Sequence, residues 1–324
     1  MDEAGVRCLP LPTPFAIGPI NAYLIEDDPL TLIDAGPNSA DTLVELARGL
    51  ATYGHRIEDL RLIVVTHQHM DHFGLVDILA RRSGADVAAL DLLAPWLSEF
   101  PESMDRDDAY AEEVMAAHGV PQDARSVLRA VAAIFHGWAS PATVTVPLHH
   151  DQRLALRDRK LIVRHRPGHS PSDTVFEDAD RGMLFAGDHL IGHVSSNAVM
   201  TRPLDHDARA RPQALVTYLE SMEQTRDTAL EVVLPGHGAP ITDHRRLIEQ
   251  RFSMHDQRCN KFEQLIARGQ PSAYELAQSL WGNVAVTQAY LTISEVLGHV
   301  DLLLNSGRVR EFAGDDGVIR FEAV

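Results

Sequence analysis

An α/β architecture follows from three features of this chain. Four short apolar runs, Leu62-Ile63-Val64-Val65, Leu161-Ile162-Val163, Leu184-Phe185-Ala186 and Val232-Val233-Leu234, read as buried strands. Segments with apolar residues at helical spacing separate them, such as residues 38–53 with Leu43, Leu46, Ala47 and Leu50 on one face. Each run also empties into residues that ligate metals, and the last three place a glycine before the ligand. Glycine lets the backbone turn sharply and approach an ion closely. Four strands delivering ligands to one sheet edge form a constellation rather than a compositional accident.

Residues 15–90 read as strand, strand, helix, strand, His-rich turn, helix, strand. Asn38 or Ser39 is the expected N-cap of the first helix. The turn after the strand is Thr66-His67-Gln68-His69-Met70-Asp71-His72. Its imidazoles and carboxylate together suit zinc, iron or manganese. His67 and His69 can face one ion as alternate residues of an extended turn, while Asp71 and His72 turn toward a second. A helix from Asp71 to Arg82 follows. With 17 histidines in the chain, a His-rich surface turn could arise by chance. The downstream recurrence in Gly168-His169, Gly187-Asp188 and Gly236-His237 weighs against that.

The order HxHxDH, lone His, Gly-Asp, Gly-His resembles the metallo-β-lactamase superfamily of metal-dependent hydrolases. The segments Asn21-Ala22-Tyr23-Leu24-Ile25 and Leu32-Ile33-Asp34-Ala35-Gly36 look like its opening strands. The resemblance spans roughly Phe15 to Ile241 and fills seven ligand positions. It implies an αββα sandwich with two divalent ions, zinc first, with iron or manganese as alternatives. His67, His69 and His169 would hold one ion, Asp71, His72 and His237 the other, and Asp188 would bridge them. Asp34 would orient a ligand imidazole, although a strand-end aspartate capping the next helix explains it nearly as well. Ser170 has no evident base partner and reads as structural.

Residues 91–147 lose the strand pattern and read as an α-helical insertion, with helices near 96–100, 109–118 and 123–138. It would cap the sheet edge. Trp96, Phe100, Met104, Met115, Phe135 and Trp138 would supply an apolar wall, or simply the insertion's own packing. The loop 191–197 leaves the strand carrying Asp188, so His189 and His193 are candidate substrate contacts or general acids. An amphipathic helix is expected over 208–223.

Beyond residue 240 the chain reads as three helices and a β-hairpin, a small winged-helix-like unit. We therefore divide the chain into a catalytic domain, 1–240, containing the cap at 91–147, and a C-terminal domain, 241–324. A winged helix that reads nucleic acid should carry Lys and Arg on its third helix. Residues 285–307 contain neither. The formal net charge of −17 also disfavours a polyanionic partner. The tail is expected to serve packing or homodimerisation.

No long apolar segment predicts a membrane span. Met1-Asp2-Glu3-Ala4-Gly5 lacks the basic and apolar parts of a secretory leader. Cys8 and Cys259 lie far apart and outside the ligand set. Reduced thiols in a cytoplasmic protein are the expectation. The expected activity is attack of a hydroxide, shared by two metals, on an ester or thioester carbonyl of a small hydrophobic substrate. Asp71 would handle the proton. An endoribonuclease of the same fold, or a single-iron persulfide dioxygenase, are the alternatives.

Overall fold

The computed structural model describes residues 2–205 and 211–324. The first sheet opens with β1 (Val6–Leu11), β2 (Ile20–Ile25) and β3 (Thr31–Ile33). Helix α1 (Ala40–Thr52) leads to β4 (Leu62–Val64), and α2 (Met70–Phe73) and α3 (Val76–Ser83) lead to β5 (Asp86–Leu90). The insertion follows as α4 (Ala94–Ser98), α5 (Phe100–Ala117) and α6 (Gln122–Phe135), before β6 (Val146–Leu148) closes the sheet. Its strand order is β1-β2-β3-β4-β5-β6, antiparallel up to β3 and parallel thereafter.

The second sheet is built from β7 (Arg153–Ala155), β8 (Lys160–His165), β9 (Thr174–Asp178), β10 (Met183–Gly187) and, after helix α7 (Ala214–Asp227), β11 (Val232–Pro235). It runs β11-β10-β9-β8-β7, with β10 and β11 parallel. Helices α8 (His244–Ile266), α9 (Ala273–Trp281), α10 (Val284–Thr287) and α11 (Ala289–Asn305) follow. The hairpin β12 (Val309–Ala313) and β13 (Ile319–Ala323) comes last.

Strand alternation produces the layers. In β4, Leu62 and Val64 face the second sheet, while Ile63 joins the core beneath the helices. In β10, Met183 and Phe185 meet the first sheet, while Leu184 and Ala186 meet Leu215, Tyr218 and Met222 of α7. Helices thus cover both outer faces of two stacked sheets, an αββα sandwich. Each fully buried side chain of this size contributes roughly 1.5–3 kcal/mol.

Several boundaries differ from the sequence reading. Ser39 is the N-cap of α1, accepting from Thr42 N at 3.1 Å. The helix expected from Asp71 to Arg82 is broken in two at Gly74. A Cβ there would lie 2.4 Å from Trp138 O and 2.5 Å from Asn38 N, so two other chain segments press on this turn. β1 lies outside the strands expected from sequence. It carries Pro10, which fits a sheet edge. Helix α7 begins at Ala214 rather than 208, and residues 206–210 lie outside the described residues. The ligand-bearing strands belong to two sheets rather than one, β4 to the first and β8, β10 and β11 to the second.

The insertion and the C-terminal segment share one core. Val114, Met115 and Val120 pack with Phe262, Ile266, Ile293, Leu297 and Phe321. His118 stacks on Phe321, with ring centroids 6.2 Å apart, and its carbonyl accepts from Tyr274 N at 3.2 Å. Trp96 and Phe100 do not form a substrate wall. They pack edge-on with Phe73 in the core beneath the first sheet, and both are buried. Among the described residues no helix is long and apolar enough to cross a membrane.

Candidate metal centre

The ligand-type residues converge where the two sheets end together. β4 feeds His67, and His69 is the residue before α2, which carries Asp71 and His72. The turn after β8 supplies His169, the end of β10 supplies Asp188, and the turn after β11 supplies His237. His67, His69 and His169 form one group whose ligand atoms all lie within 4.8 Å of one another. Asp71, His72 and His237 form a second such group. Asp188 stands between them, with Oδ1 3.4 Å from His72 Nε2 and Oδ2 3.7 Å from His169 Nε2 and 3.6 Å from His237 Nε2. All seven residues predicted as ligands are therefore in one place.

Residues 16–237 match the sequence profile of the metallo-beta-lactamase superfamily. The chain belongs to that superfamily. It is similar to the probable metallo-hydrolase YqjP of Bacillus subtilis (strain 168), at 29% identity over 303 residues, covering 94% of this chain and 93% of that protein. Among solved structures it resembles a metallo-beta-lactamase family protein from Thermus thermophilus. That match has 25% identity and a TM-score of 0.83, and covers 99% of both chains. A beta-lactamase domain protein from Burkholderia ambifaria matches at 26% identity and a TM-score of 0.82, over 99% of this chain and 92% of that one.

The metallo-beta-lactamase fold implies divalent metal, and the donor atoms fit one. His67 Nε2, His72 Nε2, His237 Nε2 and Asp188 Oδ1 are buried without a hydrogen-bond partner among the described residues. Leaving buried polar atoms unpaired is costly. A cation would take up these lone pairs together.

The opposite ring nitrogens are held in place. His72 Nδ1 donates to Asp34 Oδ2 at 2.7 Å, His169 Nδ1 to Asn197 O at 2.9 Å, and His237 Nδ1 to Pro19 O at 3.0 Å. These acceptors carry no hydrogen, so each ring presents its Nε2 lone pair inward. Thr66 Oγ1 donates to Asp34 and sits 3.0 Å from His67 Nδ1. His69 instead turns its Nδ1 inward, 2.9 Å from His169 Nε2.

Asp34 orients His72, as the resemblance implied. It also accepts from Thr66 N at 2.9 Å, and it holds a φ of +58°, which is rare for a residue other than glycine. Such a conformation costs of order 1–3 kcal/mol and marks a position fixed by its surroundings. Asp34→Asn is expected to lower metal affinity about 10–100-fold with all seven ligand-type residues still present. Competition against a chromogenic chelator measures this, and unchanged affinity would mean that Asp34 only shapes the strand end.

Burial and the neighbouring imidazoles push His67 well below its usual range, and burial drives His69 down to about 3. Burial also opposes a proton on His72, but Asp188, Asp34 and Asp71 outweigh it and raise that imidazole well above its usual value. His237 is raised against burial by Asp71 and Asp188. In the metal-free protein these carboxylates thus favour a proton on His72 and on His237. A bound cation needs those rings neutral and must expel the protons. Affinity should then fall by about tenfold per pH unit for each proton displaced as pH drops below these raised values. Titration calorimetry in two buffers of different ionisation enthalpy reads the release directly, and identical heats in both would refute it.

His189 does not reach the site. It is fully buried, donates to or accepts from Thr225 Oγ1 through Nε2 at 2.8 Å, and lies edge-on to Tyr218. The buried face of the amphipathic helix α7 captured it. His193 is exposed and rests over Gly238, where an added Cβ would lie 2.7 Å from its Nδ1. It therefore stands beside the turn carrying His237. Ser170 donates to Asp173 Oδ1 at 2.9 Å, consistent with a structural role.

Sequence reasoning missed Thr66, Asn197 and Pro19. Thr66 carried a signal, as a hydroxyl beside the first ligand. Asn197 and Pro19 act through backbone carbonyls and carried none.

Proposed function

We propose that this chain is a metal-dependent hydrolase that cleaves an ester or thioester of a small, hydrophobic substrate in the cytoplasm. The observation that carries the reading is the placement of the Asp188 carboxylate between two complete ligand groups. Two divalent ions held there, zinc by preference, would supply an activated water and polarise the carbonyl. Asp71, with Oδ2 3.3 Å from His237 Nε2, would hold a proton at its carboxylate and pass it to the leaving group.

Apolar surface near the site supports an acyl substrate. Phe15, in the loop that also provides Pro19 O, meets Phe135 of α6 with ring centroids 5.6 Å apart. Val127, Val131 and Ile134 lie exposed along one face of α6. Leu291, also exposed, accepts from Asn197 Nδ2 at 3.1 Å, and Asn197 O holds His169. The net charge of −17 over the whole chain weighs against a polyanionic substrate.

A panel of acyl thioesters, esters and lactones tests the reading. Hydrolysis should favour the longer acyl chains, vanish with a chelator and return with Zn2+. Faster cleavage of RNA or a phosphodiester, or a single iron per chain with oxygen consumption, would overturn it.

A further inference from the structure

A second cluster of ligating side chains lies away from this centre, on two long helices. His255 comes from α8, and Glu295 and His299 come from α11, four residues apart and so on one face. One ligand atom from each lies within 4.8 Å of the other two. Both rings are buried, His255 at 3% exposure and His299 at 0%.

The nitrogens meet as they do at the first centre. His255 Nδ1 and His299 Nε2 are 3.0 Å apart, against 2.9 Å for the His69 and His169 pair. His299 Nδ1 is 2.7 Å from the Glu295 carbonyl. That oxygen only accepts, so the hydrogen sits on Nδ1 and the Nε2 lone pair points at His255. His255 Nε2 is buried with no hydrogen-bond partner among the described residues. The His299 lone pair therefore accepts the hydrogen of His255 Nδ1 in the metal-free chain, and a cation between the rings would require that hydrogen to move to His255 Nε2. With that hydrogen on Nε2, two imidazole nitrogens and the Glu295 carboxylate, drawn from facing helices, would offer a cation the kind of donor set that helical bundles use for metal sites.

We propose that His255, Glu295 and His299 form a second, structural site for a divalent cation, Zn2+ by preference, that clamps α8 to α11. The clamp matters because these two helices grip the loop after Asp188. Arg251 of α8 donates to the carbonyls of Ile191, Gly192 and Val194 at 3.3, 3.2 and 2.8 Å. From α11, Leu291 O holds Asn197, and Ser294 Oγ accepts from Met200 N at 3.2 Å. Arg258, paired with Glu295 Oε1, competes with the cation for the carboxylate and sets an upper limit on affinity.

The full-length chain, equilibrated with Zn2+ and freed of excess, should hold one more ion than His255→Gln or His299→Gln, counted by elemental mass spectrometry. The same difference should persist in an Asp188→Ala background, which separates this site from the first centre. Equal counts would overturn the proposal. Arg258→Ala removes a partly exposed competitor and leaves both imidazoles in place. It should retain that ion and bind it several-fold tighter, and unchanged or weaker binding would also overturn the proposal. The second variant decides the matter if the histidine variants fail to fold.

Discussion

Asp188→Ala should lose metal and hydrolysis together. Its carboxylate lies within 4 Å of imidazoles from both ligand clusters, so removing it opens both at once. It also leaves His72 and His237 without a charge that holds their protons. The loss of activity should exceed the roughly 100-fold typical of residues that merely orient ligands. Elemental mass spectrometry before and after the substitution should show two ions fewer per chain. A variant that kept both ions and full turnover would end the dinuclear assignment.

Gly236→Ala should damage the same centre without replacing any of its seven candidate ligands. An added Cβ would lie 2.4 Å from Asp188 Oδ1 and 2.7 Å from His72 Cε1. Neither group can retreat. Asp188 is buried at the end of β10, and His72 is pinned by Asp34 at 2.7 Å. Gly236 does not have a positive φ, so the effect is steric rather than conformational. Overpacking of this kind costs about 1–3 kcal/mol in the metal-free chain, and the displaced ligands should weaken metal binding by at least about 10-fold. Gly192→Ala is the control. Its Cβ would meet only Ile241 Cγ1 at 3.6 Å, so stability should change by less than about 0.5 kcal/mol. Thermal melts with and without Zn2+ compare the pair, and equal behaviour would show that the Gly236 turn can relax.

The histidines and aspartates that converge were legible because they cluster just after short apolar strands, and local sequence marks both. Their partition between two sheets was not, since strand order is a long-range property. The αββα layering rested on family resemblance, and the alternation of Leu62, Ile63 and Val64 between two cores bears it out. His189 misled because its neighbours in sequence look like a site loop. Only the packing of α7 shows that the ring turns into Thr225 and Tyr218. For Trp96 and Phe100 the sequence left an apolar wall and plain packing both open, and Phe73 lying against them decides for packing. The split at Gly74 depends on Trp138 and Asn38 arriving from elsewhere in the chain. The carbonyls of Pro19 and Asn197 leave no trace in residue identity at all.

The shared core of the insertion and the tail sets a timetable for synthesis. Val114, Met115 and His118 pack against residues as late as Phe321. At translation rates of about 5–20 residues per second, those partners emerge about ten seconds or more after the insertion does. Both sheets and every ligand up to His237 are already outside the ribosome by then. The nascent protein thus passes through a stage in which every residue of the candidate metal centre has emerged while Val114, Met115 and His118 still lack Phe321.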